Sequence, residues 1–420
     1  MSTPDEPWSW RAAVADLLAR TRLAQPDELA AEVAAAVLPL GLQATIYLVD
    51  QEQRTLRPVP GPGAAEPGPI MPIEPIPVDA SVAGRVFTTV SREPVPAGDG
   101  RPARLWMPLL DGTERLGVLE LVVRGGAGPG DVDPGDEAFL AGCDLFGQLV
   151  GHLIATKVPY GDALLRVRRA RRMSEASELL WQLLPPLTFV CHRAVVSAIL
   201  EPCYDVGGDG FDYAADGPSL YFAIFDTAGH EMRAGLGTAV VMSAIRAARR
   251  AGEDLDALAR AADRALEAYL PELRFTTAVL AHLDLDTGRM RYINAGHPPP
   301  LLVRDGRLVH GLTGGRRLPL GLGLDDPGRE VGEQMLRRGD RILLYTDGII
   351  EARDRDGTAF GVDRLAGLVQ RDAGRLPAPE TLRRLCHAAL SHYDGPPADD
   401  ATLMLVEWSY DAVRAMLPLA

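Results

Sequence analysis

Four short motifs in the second half of this chain set an aspartate beside, or close to, a glycine or a second aspartate at the edge of an apolar, strand-like run. VGGDGFDY supplies Asp209 and Asp212, LYFAIFDTAGH supplies Asp226, ILLYTDG supplies Asp347, and PADDATLMLVEW supplies Asp399 and Asp400. An ionised carboxylate in apolar surroundings costs roughly several kcal/mol unless something neutralises it. One Asp-Gly step is ordinary turn vocabulary. Four such strand ends are a pattern: were they to converge, the carboxylates would repel one another and several would be forced to protonate. Hard divalent cations remove that conflict. Oxygen ligands suit magnesium or manganese, and two ions about 3.5–4 Å apart can activate water and stabilise an in-line displacement at phosphorus. The neighbouring glycines let backbone approach such ions closely.

With 420 residues the chain can hold two or three domains, and 47% hydrophobic with 24% charged residues suits a conventional globular fold. The net charge of -14 opposes a general nucleic-acid or anionic-membrane binder, which needs a basic footprint. Cys143, Cys191, Cys203 and Cys386 lack CxxC spacing, so they suggest neither a zinc site nor a disulfide framework. The start MSTPDEPWSW has no basic segment leading into an apolar one, and no uncharged apolar run reaches the ~18 residues of a membrane span. These features place the protein in the cytoplasm as an expectation, with no nucleic acid and no membrane span among its partners.

The first part of the chain alternates helix and strand signals. Residues 27–40 read as a helix and 42–50 as a strand. Eight prolines between 58 and 77 predict an extended loop. RLWMPLLDGTERLGVLELVV (104–123) reads as two strands around a turn at Asp111-Gly112, closed by an amphipathic helix over 136–157. SVAGRVFTTVSREPV together with that hairpin resembles the GAF family of small-molecule and protein-interaction domains, over residues 25–157. The resemblance implies a regulatory domain and leaves its ligand or partner unnamed; a GAF-like fold used only for dimerisation is an equal alternative. Residues 158–186 read as a helical, coiled-coil-like linker. Its main helix spans 161–184, with a seam at Met173, Ala176, Leu180 and Leu183, and stops at Pro185-Pro186. RVRRARR within it carries five arginines in seven residues, read as a solvated face.

The acidic motifs, together with YINAGHPPPLLV, LPLGLG and RRGDRILLYTDGIIEARDRDGTAFG, resemble in order and wording the PPM (protein phosphatase 2C-like) superfamily, in its bacterial SpoIIE-like branch, over residues 187–410. The fold expected is therefore α+β: a GAF-like α/β sensor domain joined by a helical linker to a PPM-type β-sandwich flanked by helices. The implied activity is hydrolysis of phosphoserine or phosphothreonine by metal-activated water, using two manganese or magnesium ions. Carried over by position, Asp226 would bridge the metals, with the Thr227 carbonyl as a further ligand. Asp347 and Asp399 would share one ion, Asp209 would act through water from behind, and Asp400 is an added candidate. The resemblance further implies a phosphorylated anti-sigma-factor antagonist as substrate and a homodimer.

The chain departs from the branch around Asp226, reading Phe225-Asp226-Thr227-Ala228-Gly229-His230-Glu231 where glycines usually stand at the first and last positions. Those changes could reshape the metal pocket, and they keep open a second reading: a weakly active or inactive phosphatase-fold scaffold that binds partners. His230 is a candidate proton donor. His297 reads as a turn histidine satisfied by backbone, Asp212 and Asp400 as groups that orient a ligand or cap an element, and Asp354 and Asp356 as a solvated turn. A helix over 232–251 should carry Leu236, Val240 and Ala244 on one face, its small residues allowing close packing.

Overall fold

The computed structural model describes residues 9–61, 74–98, 101–123, 136–201, 204–205, 207–229, 231–273, 275–322, 330–372, 376–393, 399–410 and 416. The chain divides into two compact units, one of residues 1–170 with 414–420 and one of 171–413.

The first unit is built on a six-stranded antiparallel sheet in the order β3-β2-β1-β6-β5-β4. The strands are β1 (Leu42–Val49), β2 (Thr55–Pro58), β3 (Ile76–Pro77), β4 (Glu93–Val95), β5 (Arg104–Asp111) and β6 (Glu114–Val123). Its helices are α1 (Trp10–Thr21), α2 (Leu29–Val37), α3 (Val82–Thr89), α4 (Glu137–Lys157) and α5 (Ala163–Arg168). The β5–β6 hairpin turns at Asp111-Gly112 as its sequence requires, with Gly112 at a φ of 57°. Helix α4 is long and apolar enough to cross a membrane by length and composition. Packing takes up one face of it: Cys143, Phe146, Val150 and Ile154 are buried with the strand residues Met107 and Leu109. Gly151 lets it lie against the sheet, since a Cβ there would stand 2.0 Å from the Leu110 carbonyl oxygen. Most of the proline-rich loop lies outside the described residues.

The linker departs from expectation. In place of one helix over 161–184, α5 ends at Arg168, Arg169 is extended, and a new helix, α6 (Glu175–Leu183), starts beyond it. The Ser174 side chain caps α6 by accepting from the Ser177 backbone N–H, which supplies one of the orphan donors of a helix start. The seam residues are not left for a partner helix. Met173 packs with Tyr204 and Leu180 with Leu200, inside the second unit's own core.

The second unit holds two sheets. One has the order β15-β12-β11-β10-β9, with β16 also on β12. It comprises β9 (Asp209–Asp216), β10 (Ser219–Thr227), β11 (Thr276–Asp284), β12 (Arg289–Ala295), β15 (Arg316–Arg317) and β16 (Gly332–Met335). The other has the order β14-β13-β17-β18-β8-β7. Its strands are β7 (Thr188–Cys191), β8 (Ala194–Glu201), β13 (Leu301–Arg304), β14 (Arg307–Gly311), β17 (Asp340–Tyr345) and β18 (Ala401–Trp408). Phe211, Phe222 and Ile224 from one sheet and Val196, Leu344, Met404 and Val406 from the other share one core, so the sheets pack face to face.

Helices α7 (Glu231–Arg250) and α8 (Leu255–Tyr269) cover the outer face of the first sheet, where Tyr221, Ala223 and Phe225 meet Val241, Ile245 and Leu258. The buried face of α7 carries Ala234, Thr238, Val241, Met242 and Ile245. The expected stripe is offset from it, for Leu236 is exposed. Close packing is realised at Gly235, whose Cβ would stand 3.2 Å from the Ala176 Cβ on α6. Helices α9 (Asp347–Ile350), α10 (Gly361–Asp372) and α11 (Ala378–Leu390) complete the unit.

Candidate metal centre

Strand register brings the acidic motifs together. Asp209 opens β9 and Asp226 nearly closes β10, and the two are direct cross-strand partners. In the facing sheet β17 and β18 are neighbours. β17 runs into Asp347 at the start of α9, and β18 begins just after Asp399 and Asp400. Side-chain alternation does the rest: Phe211 and Ile224 point between the sheets, and so do Asp209 and Asp226, an even number of residues away. Thr346 and Thr402 of the second sheet both donate to Asp209 Oδ2, each at 2.7 Å, so the ends of the two sheets meet at these carboxylates.

The carboxylates feel one another. Burial first, and then the charges of Asp347, Asp399 and Asp400, push the Asp226 carboxyl up to about 7. Asp209 is raised by complete burial and by Asp400 and Asp226. Asp400 is raised by burial and by Asp399, against the backbone amides it accepts from. Asp399 is raised by desolvation, then by Asp347 and Glu351. Among the described residues none of the five has an arginine or lysine within ion-pair distance, whereas Asp263 and Asp340 of the same unit each have an arginine and Asp212 has two.

Two of the carboxylates are anchored through one oxygen. Asp209 Oδ2 takes the Thr346 and Thr402 hydroxyls. Asp400 Oδ2 accepts from the backbone N–H groups of Gly207, Gly208 and Asp209 at 2.7, 2.8 and 3.1 Å. Asp400 is therefore engaged in holding the loop that presents Asp209, the orienting role considered for it. Asp399 is exposed and accepts from the Asp400 N–H at 2.9 Å. Gly348, directly after Asp347, has its Cα against β18: a Cβ there would lie 1.9 Å from the Asp400 carbonyl oxygen. The Thr227 carbonyl packs against Gly208, where a Cβ would stand 2.3 Å away, and the Thr227 hydroxyl lies 2.7 Å from that of Thr238 and 2.9 Å from that of Thr276.

Other sequence candidates fall elsewhere. Asp212 is three residues past Asp209, so it faces the helical layer, where Arg246 of α7 holds its Oδ1 at 2.7 Å. It does not join the cluster. Phe225 is buried in the core beneath α7 and α8, on the face of β10 opposite Asp226, so the substitution of the usual glycine does not line the carboxylates. Asp354 Oδ1 accepts from the Asp356 and Thr358 amides in an exposed turn. His297 is buried, with Nε2 3.1 Å from the Tyr345 carbonyl oxygen and Nδ1 2.8 Å from the Thr277 hydroxyl. Burial pushes its pKa down to about 3, which keeps the ring neutral. His230 and the Glu231 side chain lie outside what is described.

Sequence reasoning missed Thr346, Thr402, Thr277 and Glu351. The first two sit beside the aspartates of YTDG and DDAT, and a hydroxyl next to a buried carboxylate was the available signal. Glu351 lies one turn along from Asp347.

An all-oxygen, net-negative donor set fits a hard divalent cation. Its spacing is open: among the described residues no three acidic, histidine or cysteine side chains stand close enough to hold a metal as they are.

Residues 216–409 match the family model described as Stage II sporulation protein E (SpoIIE). The matched stretch lies within the second unit. The chain is 25% identical over 211 residues to the phosphoserine phosphatase RsbU of Bacillus subtilis, covering 50% of this chain and 62% of RsbU. It thus spans less than two thirds of that relative. Among solved structures it is similar to the RsbU and RsbW domains of a Mycobacterium tuberculosis protein, at 31% identity and a TM-score of 0.44, covering 52% of this chain and 60% of the other. It is also similar to the SiaA PP2C domain of Pseudomonas aeruginosa, at 23% identity and a TM-score of 0.47, covering 56% and 94%.

Proposed function

We propose that this protein is a metal-dependent serine/threonine protein phosphatase. The observation that carries the reading is the meeting of Asp209, Asp226, Asp347 and Asp399 at the ends of two facing sheets of a SpoIIE-type domain, without a basic partner among the described residues. Asp226, the Thr227 carbonyl, Asp347 and Asp399 would hold the cations, manganese or magnesium and two in number, with Asp209 supporting them from behind. Such cations supply a water of lowered pKa and offset charge on the phosphoryl oxygens. The protein contributes direction: Thr346 and Thr402 fix the Asp209 rotamer, and Asp400 fixes the loop that carries it.

The relative RsbU is named a phosphoserine phosphatase, and this supports a phosphoserine or phosphothreonine protein as substrate, with a small anti-sigma-factor antagonist the natural kind. The first unit, with its sheet and helices, serves on this reading as a GAF-like regulatory domain that binds an unnamed ligand or partner. It would bias α7 through the α5–α6 segment of a cytoplasmic homodimer. Equal activity and metal dependence after deletion of residues 1–160 would remove that regulatory link.

The open spacing of the carboxylates favours a second reading, a binding scaffold of low turnover. Phosphate release from p-nitrophenyl phosphate and from a phosphoserine protein, with manganese added, separates the two. The phosphatase reading expects metal-dependent release by wild type and its loss in Asp226→Ala and Asp347→Ala; absence of release from wild type would sink it.

A further inference from the structure

The NAGH turn ties the two sheets together at the metal end. Asn294 Nδ2 donates to the His297 carbonyl at 2.9 Å, and Asn294 Oδ1 accepts from the His297 N–H at 2.8 Å, which closes the turn at the end of β12. The imidazole then reaches both sheets. A carbonyl only accepts, so the Tyr345 oxygen assigns the ring proton to Nε2. Nδ1 is left with a lone pair, and the Thr277 hydroxyl must donate to it.

These contacts fall beside two carboxylates on opposite sheets. Thr277 is the cross-strand partner of Asp226 on β11, its Oγ1 3.5 Å from Asp226 Oδ2. Tyr345 ends β17, two residues before Asp347. The path Thr277–His297–Tyr345 therefore crosses from the neighbour of one acid to the strand that leads into the other.

We propose that His297 is a positioning residue that fixes the separation of Asp226 and Asp347 across the two sheets and so sets the affinity of the carboxylate cluster for a divalent cation. The inference rests on the phosphatase reading, but its readout is cation binding and not turnover. A histidine that merely fills the core would change thermal stability and leave the affinity of folded molecules untouched. Breaking a partner behind a ligand costs roughly 10–100-fold in metal affinity.

The test is equilibrium binding of Mn2+ to the full-length protein, counting free Mn2+ by electron paramagnetic resonance, with near-UV circular dichroism to select folded samples. His297→Phe and Thr277→Val should bind Mn2+ roughly ten-fold or more weakly, and Thr277→Ser, which keeps the hydroxyl, should stay near wild type. Folded His297→Phe with wild-type affinity would overturn the proposal. Should that variant fail to fold, wild-type affinity in Thr277→Val overturns it equally. Wild type that binds no Mn2+ would fell the phosphatase reading itself, and this inference with it.

Discussion

The second unit buries acids in two contrasting ways. Away from the cluster, Asp263 and Asp340 each have a guanidinium partner. Asp263 pairs with Arg317 at 2.5 Å and accepts from the Gly321 amide, and Asp340 takes Arg304 in a two-pronged contact at 2.7 and 2.6 Å with the Arg337 amide added. At the strand ends five carboxylates gather with hydroxyls and backbone amides for company. The first arrangement is electrically closed and serves the fold. The second is left with net charge, so protons or a cation must complete it.

The difference can be broken or sharpened by mutation, and the largest effect is on chemistry. Asp226→Ala and Asp347→Ala should each lower manganese-dependent phosphate release by on the order of 10³-fold, measured as initial rates, because the reaction depends on metal-activated water. A loss confined to a few-fold would put the cluster outside catalysis. On the closed side, Arg317→Ala strands Asp263 in the core and should cost about 3–5 kcal/mol of unfolding free energy in urea.

Removing a charge from the open side should act in the opposite direction. Asp226→Asn is expected to stabilise the cation-free protein by on the order of 1–3 kcal/mol above pH 7. The sign follows from linkage. The folded state holds the Asp226 proton up to about pH 7, against about 3.9 when unfolded. Its contribution is therefore complete below pH ~4 and is lost as pH rises through ~7. Melting temperatures of wild type and variant should coincide at the acid end of that window and diverge toward the basic end, and added manganese should narrow the gap. A constant gap across the range would mean that Asp226 ionises normally. The smallest effect belongs to the anchors: Thr402→Val removes one neutral donor from Asp209 and should cost about 1 kcal/mol in the same unfolding experiment.

Much of this contrast was legible in the chain. An aspartate that flanks an apolar strand-like run sits at a strand end: Asp226 and Asp347 follow such runs, and Asp209 and Asp399 precede them. The partners were not legible, because they are distant: Arg246 meets Asp212 across 34 residues, and Thr402 meets Asp209 across 193. The parity of a strand was readable and went unused. Phe225, being next to Asp226, had to face the other side. The linker failed for a different reason. Apolar residues 3 and 4 apart suit a two-chain seam and the unit's own core equally, and the Ser174 cap, with Glu175 and Glu178 in the turn after it, was the local signal that one helix had ended and another begun.

The adjacent pair Asp399-Asp400 has a consequence for how this protein can change. One carboxylate is exposed and feels Asp347, while the next is buried on the 207–209 amides. Because the two acids occupy consecutive positions just ahead of β18, the division of labour depends on counting and not only on identity. A one-residue deletion at the head of β18 would keep both acids and yet pull them out of step with the 207–209 amides and with Asp347. Lineages of this domain should therefore accept point substitutions around the pair far more readily than length changes.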